Sequence, residues 1–353
     1  MKTERNCNDD LIRVISTVFV IMIHTGEKPW SNIPVLDAMV TTLIFFSNSF
    51  FYMLSGKYNI GKHFDTTDDY LVYYRKKFID IILPYILVSM ILSAWNIMLT
   101  PNSDIANGAL IVYYIKVFLF DILSGNSSSH LWFMFWLIGF IISAPFLSKM
   151  MTNMSEAELN ILFGAIIVWN FVTVFLFPFF DKPFSYNGWF ITGWLIHFCM
   201  GYYVDRIAKS GHIKWLYFVG ATGLILNIIC MTFAKERFGN ATDLQPTFII
   251  ACAGMMAFIE QKIKLKKDFA VKTVKFLAKY TFVAYMVHFN IANHVTPIIT
   301  GSLPLEIRYC SSVIVTFFIS FIASILLSRI INPCKKLFQS NIQYVLGQSN
   351  ITS

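Results

Sequence analysis

Stretches of about twenty apolar residues, separated by short polar loops, decide what this chain can fold into. Eleven such segments lie near 11–25, 35–55, 78–99, 109–123, 130–149, 158–178, 187–204, 213–233, 246–261, 276–296 and 306–331. In lipid only helices and closed barrels satisfy every backbone hydrogen bond. Segments of this length and apolarity read as spanning helices. Composition removes the soluble alternative. The chain is 56% hydrophobic and 14% charged, where a soluble domain carries about 25% charged residues. The expected fold is an all-α integral membrane protein, one polytopic domain over residues 1–353 with no appended soluble domain and no internal repeat. The apolar run Val14–Ile23 ends in His-Thr-Gly-Glu without a small-x-small cleavage pattern, so it reads as a retained first helix.

The formal net charge of +8 would raise nucleic acid as a partner of a soluble protein. Here the basic residues cluster between apolar runs, which is a topology signal and an attraction to anionic headgroups of the bilayer. Nucleic acid is therefore not an expected partner. The segment 109–123 is short and carries Lys116 and Asp121. If it does not span and the N-terminus is cytoplasmic, six of the 28 Lys and Arg fall outside: Lys28, Lys116, Lys182, Lys235, Arg237 and Arg308. If it spans, the Arg206 loop and the Lys262–Lys279 cluster move outside. The positive-inside rule selects the first arrangement. The expectation is about ten transmembrane helices with both termini inside, plus one re-entrant or interfacial segment at 109–123. The six cysteines are scattered without CxxC or CxxH spacing, and no metal site is expected.

Ionisable residues inside spans are costly and mark function by default. The first helix holds Arg13 and His24. Eleven steps of about 100° make three turns plus roughly 20°, so both lie on one face, about 16 Å apart along the axis. Arg13 then sits at the inner rim and His24 near or just past mid-membrane. A fixed cation at the rim can hold an anionic donor, and a histidine can take a proton from an acceptor hydroxyl. Asp10, three residues before Arg13, can pair with it. The same two residues also fit a snorkelling arginine and a histidine packed in the bundle. Ser55 and Gly56 end the second span beside Arg75, Lys76 and Lys77. That arrangement fits a phosphate site or a plain helix stop beside a basic loop. His130 opens the fifth span, followed by Trp132. Tyr285 and His288 share a helical face. By the same topology these histidines fall on the outer side with His24. His197 also lies within the membrane, without a role.

Taken in order, these elements resemble the membrane-bound acyltransferase family 3, which includes surface-polysaccharide O-acetyltransferases. Arg13 and His24 match its R-x10-H pattern within NDDLIRVISTVFVIMIHTG. FFSNSFFYMLSGKY resembles its phenylalanine-rich second helix ending in Ser-Gly. RKKFIDIILPYIL resembles its basic stretch leading into Ile/Leu-Pro, and HLWFM its H-L-W-[FY] signature. YTFVAYMVHFNI resembles its Ser-Phe-x-x-Tyr-x-x-His, with Thr281 where serine is usual and Phe289 where proline is usual. The resemblance implies a multi-pass protein of the bacterial cytoplasmic membrane, with acetyl-CoA or another acyl-CoA as donor substrate and no permanently bound cofactor. It implies a glycan or lipid-linked saccharide as acceptor. His24 would be the catalytic base or a transient acyl carrier. Arg13, Ser55 and Arg75 would bind or orient the donor, with Lys76 and Lys77 beside them. His130 and His288 would line the acceptor side, and Tyr285 or a histidine would stabilise the oxyanion. The rival is a glycan transporter or flippase, which would favour paired charges within spans and inverted repeats. The spans read as poor in carboxylates.

Overall fold

The computed structural model describes residues 6–99, 115–116, 118–120, 128–176, 191, 193–238 and 242–349, and every regular element among them is helical. Helix α1 (Cys7–His24) opens on Asn6, whose side chain accepts the Asn8 N–H, with Asp9 and Asp10 in the first turn. Both features suit the unpaired amides and the positive end of a helix. Helix α2 (Pro34–Asn59) starts with proline in its first turn, where the missing N–H costs nothing.

Helix α3 (Thr67–Lys77) is started by a capping box of Thr66 and Asp69. It runs through a π turn, Phe78–Ile82, into α4 (Leu83–Leu99). The Arg75-Lys76-Lys77 stretch, expected as part of a loop, is therefore the last turn of a helix. Helix α5 (Trp132–Thr152) is followed by α6 (Glu156–Asn170), capped by Ser155 and Glu158 and prolonged by a π turn at Phe171–Leu176. Then come α7 (Trp194–Ser210), α8 (Ile213–Phe233), α9 (Pro246–Lys262) and α10 (Asp268–Ala278). Helix α11 (Thr281–Asn290) is broken by a π turn, Ile291–Val295, before the short α12 (Thr296–Thr300). Helix α13 (Leu305–Ser349) runs well past the 306–331 segment.

Six helical stretches among the described residues are long and apolar enough to cross a membrane: α2, α3–α4 as far as Met98, α5, α6 with its π turn, α8, and α13 as far as Gln339. The other four expected spans fall on α1, α7, α9 and the broken α11–α12, which are shorter or more polar. The 109–123 segment lies outside the described residues except at 115–116 and 118–120.

Lipid-type packing explains the close crossings. A Cβ on Gly56 of α2 would stand 1.6 Å from the Phe198 carbonyl oxygen of α7, and one on Gly201 would stand 1.7 Å from that of Met53. Helices α8 and α9 meet at Gly220 and Gly254, where a Cβ on either would stand 2.5 Å from the other's Cα. Small residues let backbones approach where no hydrophobic force drives helices together. A polar bridge adds to this: Asn227 Nδ2 donates to Thr42 Oγ1 at 3.0 Å, and Thr247 Oγ1 donates to Asn227 Oδ1 at 3.1 Å. Large apolar side chains such as Phe146, Ile161 and Phe218 face outward, as a lipid-facing surface requires.

Candidate active site

One face of α2 carries Asp37, Thr41, Phe45, Asn48, Phe51, Ser55 and Tyr58, at steps of three or four residues. The first four line one cavity, of about 740 Å³; the last three line another, of about 550 Å³. Helix α1 repeats the division, with His24 in the first cavity and Arg13 in the second. The two cavities therefore lie toward opposite ends of the same helices.

The Arg13 cavity is basic at its mouth and apolar deeper in. Arg13, Lys77, Lys279 and Lys335 line it with Ser55, Asp80, Phe51, Phe133 and Tyr285. Arg13 Nη1 meets Asp10 Oδ1 at 2.7 Å, and its guanidinium lies 5.4 Å from the Tyr58 ring centre. The Tyr58 hydroxyl donates to Asp9. Asp9 and Glu260 each lie 2.9 Å from Lys57 Nζ, so α1, α2 and α9 are tied at one end by a buried ion cluster. Buried charges are tolerated when paired in this way. Of the three adjacent cations singled out from the sequence, only Lys77 reaches the cavity. Arg75 donates to the Gln339 carbonyl at 3.2 Å, and Lys76 is exposed. Gly56 is a crossing contact with α7, three residues before the helix ends, while its neighbour Ser55 does line the cavity.

Between the cavities stands a layer of three imidazoles. Ring centres of His24 and His288 are 5.4 Å apart, those of His130 and His288 4.8 Å, and those of His24 and His130 6.3 Å. Phe289 stacks on His130 at 5.2 Å and meets His24 edge-on at 5.1 Å. The HLWF segment explains itself here. His130 is buried in the layer, Trp132 faces the His24 cavity beside Trp194, and Phe133 faces the Arg13 cavity. Phe51, Phe133 and Tyr285 pack together at 5.2–6.1 Å and line the Arg13 cavity.

Hydrogen bonds fix two of the three tautomers. His130 Nε2 lies 3.0 Å from the Met286 carbonyl, which can only accept, so Nε2 carries the proton. Its Nδ1 then accepts, lying 2.9 Å from Ser128 Oγ, whose single proton is shared between it and Asn290 Oδ1 at 3.2 Å. His288 Nδ1 donates to the Tyr285 carbonyl at 2.5 Å. Its Nε2 lone pair is buried without a hydrogen-bond partner among the described residues. The Tyr285 hydroxyl donates to the His130 carbonyl at 2.8 Å, so its one proton is committed to structure. His24 is half-buried and lines the first cavity, with its ring centre 5.4 Å from that of His288.

Sequence reasoning missed Tyr58, Lys279, Lys335 and Phe289. The two lysines were legible only as topology charges. It also underestimated the carboxylates: Asp9, Asp10 and Glu260 are all buried. They sit at helix ends, however, and not in the middle of the spans.

A bundle of membrane-type helices thus carries a basic cavity toward one end, the His24 cavity toward the other and three histidines between them. The acyltransferase domain that defines acyltransferase family 3 matches residues 10–332, and the chain belongs to that family of membrane acyltransferases. An amino-acid racemase from Enterococcus faecalis is 22% identical over 360 residues, covering 95% of this chain and 47% of that protein. The chain thus spans about half the length of the curated relative it matches. No solved structure matches.

Proposed function

We propose that this protein moves an acyl group, acetyl by resemblance, from cytoplasmic acyl-CoA to a hydroxyl of a cell-envelope glycan or lipid-linked sugar. One observation carries the reading: Arg13 and His24, on a single helix, open into separate cavities with the histidine layer between them. The proposal includes ten spans within one domain, a segment at 109–123 that does not cross, and both termini in the cytoplasm of a bacterial inner membrane. The cavity of Arg13, Lys77, Lys279 and Lys335 then faces the cytoplasm, where cations suit the phosphates of CoA. The thioester end of the donor lies deeper, against Phe51 and Phe133.

In the transfer, His24 takes the proton of the acceptor hydroxyl as its oxygen attacks the thioester carbonyl. The C–S bond breaks, and the departing CoA thiolate takes the proton from the imidazolium. His288, its Nδ1–H committed to the Tyr285 carbonyl, has its ring centre 5.4 Å from that of His24, close enough for its dipole to stabilise the imidazolium. A covalent acyl-histidine on His24 balances equally, with two such steps in place of one. His24→Ala should abolish acyl transfer from acetyl-CoA in nanodiscs while CoA still raises the melting temperature. Normal transfer by that variant would end the proposal. Transport is disfavoured because the buried charge cluster of Asp9, Lys57 and Glu260 ties helix ends and leaves the middle of the spans uncharged.

A further inference from the structure

The His24 cavity holds more charge than binding a neutral hydroxyl requires. Lys235 Nζ and Asp37 Oδ2 neutralise one another at 2.7 Å. Lys28, four residues after His24, lines the same cavity, and among the described residues no hydrogen bond or ion pair holds its ammonium. Burial lowers that ammonium from its ordinary value; Asp37, already bonded to Lys235, raises it, and Lys235 lowers it again. A partly buried cation without its own counter-ion is costly, and an incoming anion would relieve the cost.

The rest of the lining suits a hydroxylated ring. Trp132 and Trp194 lie with ring centres 5.2 Å apart, and both face the cavity. The Asp243 carboxyl, pushed up to about 7 by burial, is a hydrogen-bonding group for hydroxyls. Asn48 Oδ1 is buried and has no hydrogen-bond partner among the described residues. An aromatic wall, a carboxyl and an amide are the fittings of a sugar site, and Lys28 adds one demand to them.

We infer that this cavity selects an acceptor carrying a carboxylate or phosphate beside its hydroxyls, the anion seated on Lys28 and one hydroxyl turned to His24. The inference rests on reading this cavity as the acyl-acceptor site, and its test separates the two. Binding of octyl β-D-glucuronide, octyl β-D-glucoside and the 6-phosphate of the glucoside would be measured by calorimetry on the whole protein in phosphatidylcholine nanodiscs. An anionic probe should bind at least about tenfold tighter than the glucoside, the gain of one charge-assisted hydrogen bond. The stronger of the two anionic probes tells carboxylate from phosphate. Lys28→Gln should erase the preference, Lys28→Glu should reverse it and Lys28→Arg should keep it, while a thermal shift with CoA reports that each variant is folded.

Equal binding of the three probes, or a preference that survives Lys28→Gln, overturns the inference. So does a preference lost when phosphatidylglycerol is added, which would make a lipid headgroup the occupant of Lys28. If the preference holds but wild-type protein releases no CoA with any probe, the acyl-transfer reading fails and the anion site stands.

Discussion

Alanine at Gly56 or Gly201 should destabilise the whole bundle, not merely weaken a ligand site. A Cβ at Gly56 would lie 1.6 Å from a backbone oxygen, whereas ordinary contact begins at 3.4 Å, so α2 and α7 would have to part by up to about 1.8 Å. The clashing atom is main chain and cannot rotate away. Overpacking of this kind costs about 1–3 kcal/mol and occasionally more, and the upper end applies here. Gly139 of α5 is the control, because nothing lies within 4 Å of its Cβ position. Alanine there should gain roughly 0.5–1 kcal/mol of helix propensity. The two changes should therefore differ by about 4 kcal/mol. Thermal unfolding in nanodiscs, followed by tryptophan fluorescence, measures it. A phosphate site at Ser55–Gly56 would instead predict a folded Gly56→Ala protein that has lost CoA binding. If Gly56→Ala melts as hot as Gly139→Ala, the crossing argument is wrong.

Three further outcomes are expected. Tyr285→Phe leaves the buried His130 carbonyl without its donor, which should cost about 1–3 kcal/mol and lower kcat more than it raises KM for acyl-CoA; an unchanged rate would refute the link between Tyr285 and the histidine layer. Lys279→Gln and Lys335→Gln should each raise KM for acyl-CoA several-fold with little change in kcat, and Lys76→Gln should do neither, as steady-state kinetics would show. The Asp243 carboxyl sits at about 7 because of burial, above its unfolded value. Folded protein then binds the extra proton, so stability is highest below the unfolded value and falls as pH rises toward about 7. The difference in melting temperature between Asp243→Asn and wild type should grow over that window, and a constant difference would contradict the assignment.

What was legible in the sequence was whatever repeats locally. The Asp10–Arg13 pair follows from a three-residue step, and the common face of Arg13 and His24 from helical period. The meeting of His24, His130 and His288 needed topology as well, since the charge bias set which ends of distant helices share a side. Side-chain commitments stayed invisible. Nothing near Tyr285 in sequence says that its hydroxyl serves the His130 carbonyl, 155 residues away. Lys57 finds Asp9 across 48 residues and Glu260 across 203. Ser55 and Gly56, adjacent in sequence, face a cavity and a neighbouring helix respectively, a distinction that only packing makes.

The continuous face of α2 has a thermodynamic consequence. Asp37 to Asn48 wall one cavity and Phe51 to Tyr58 wall the other, on one rod pinned to α7 through Gly56. A ligand that tilts this rod at one end changes the shape available at the other. By linkage, whatever factor a ligand in one cavity applies to the affinity for a ligand in the other, the second must return to the first. The size of that factor is then set by the stiffness of a single helix.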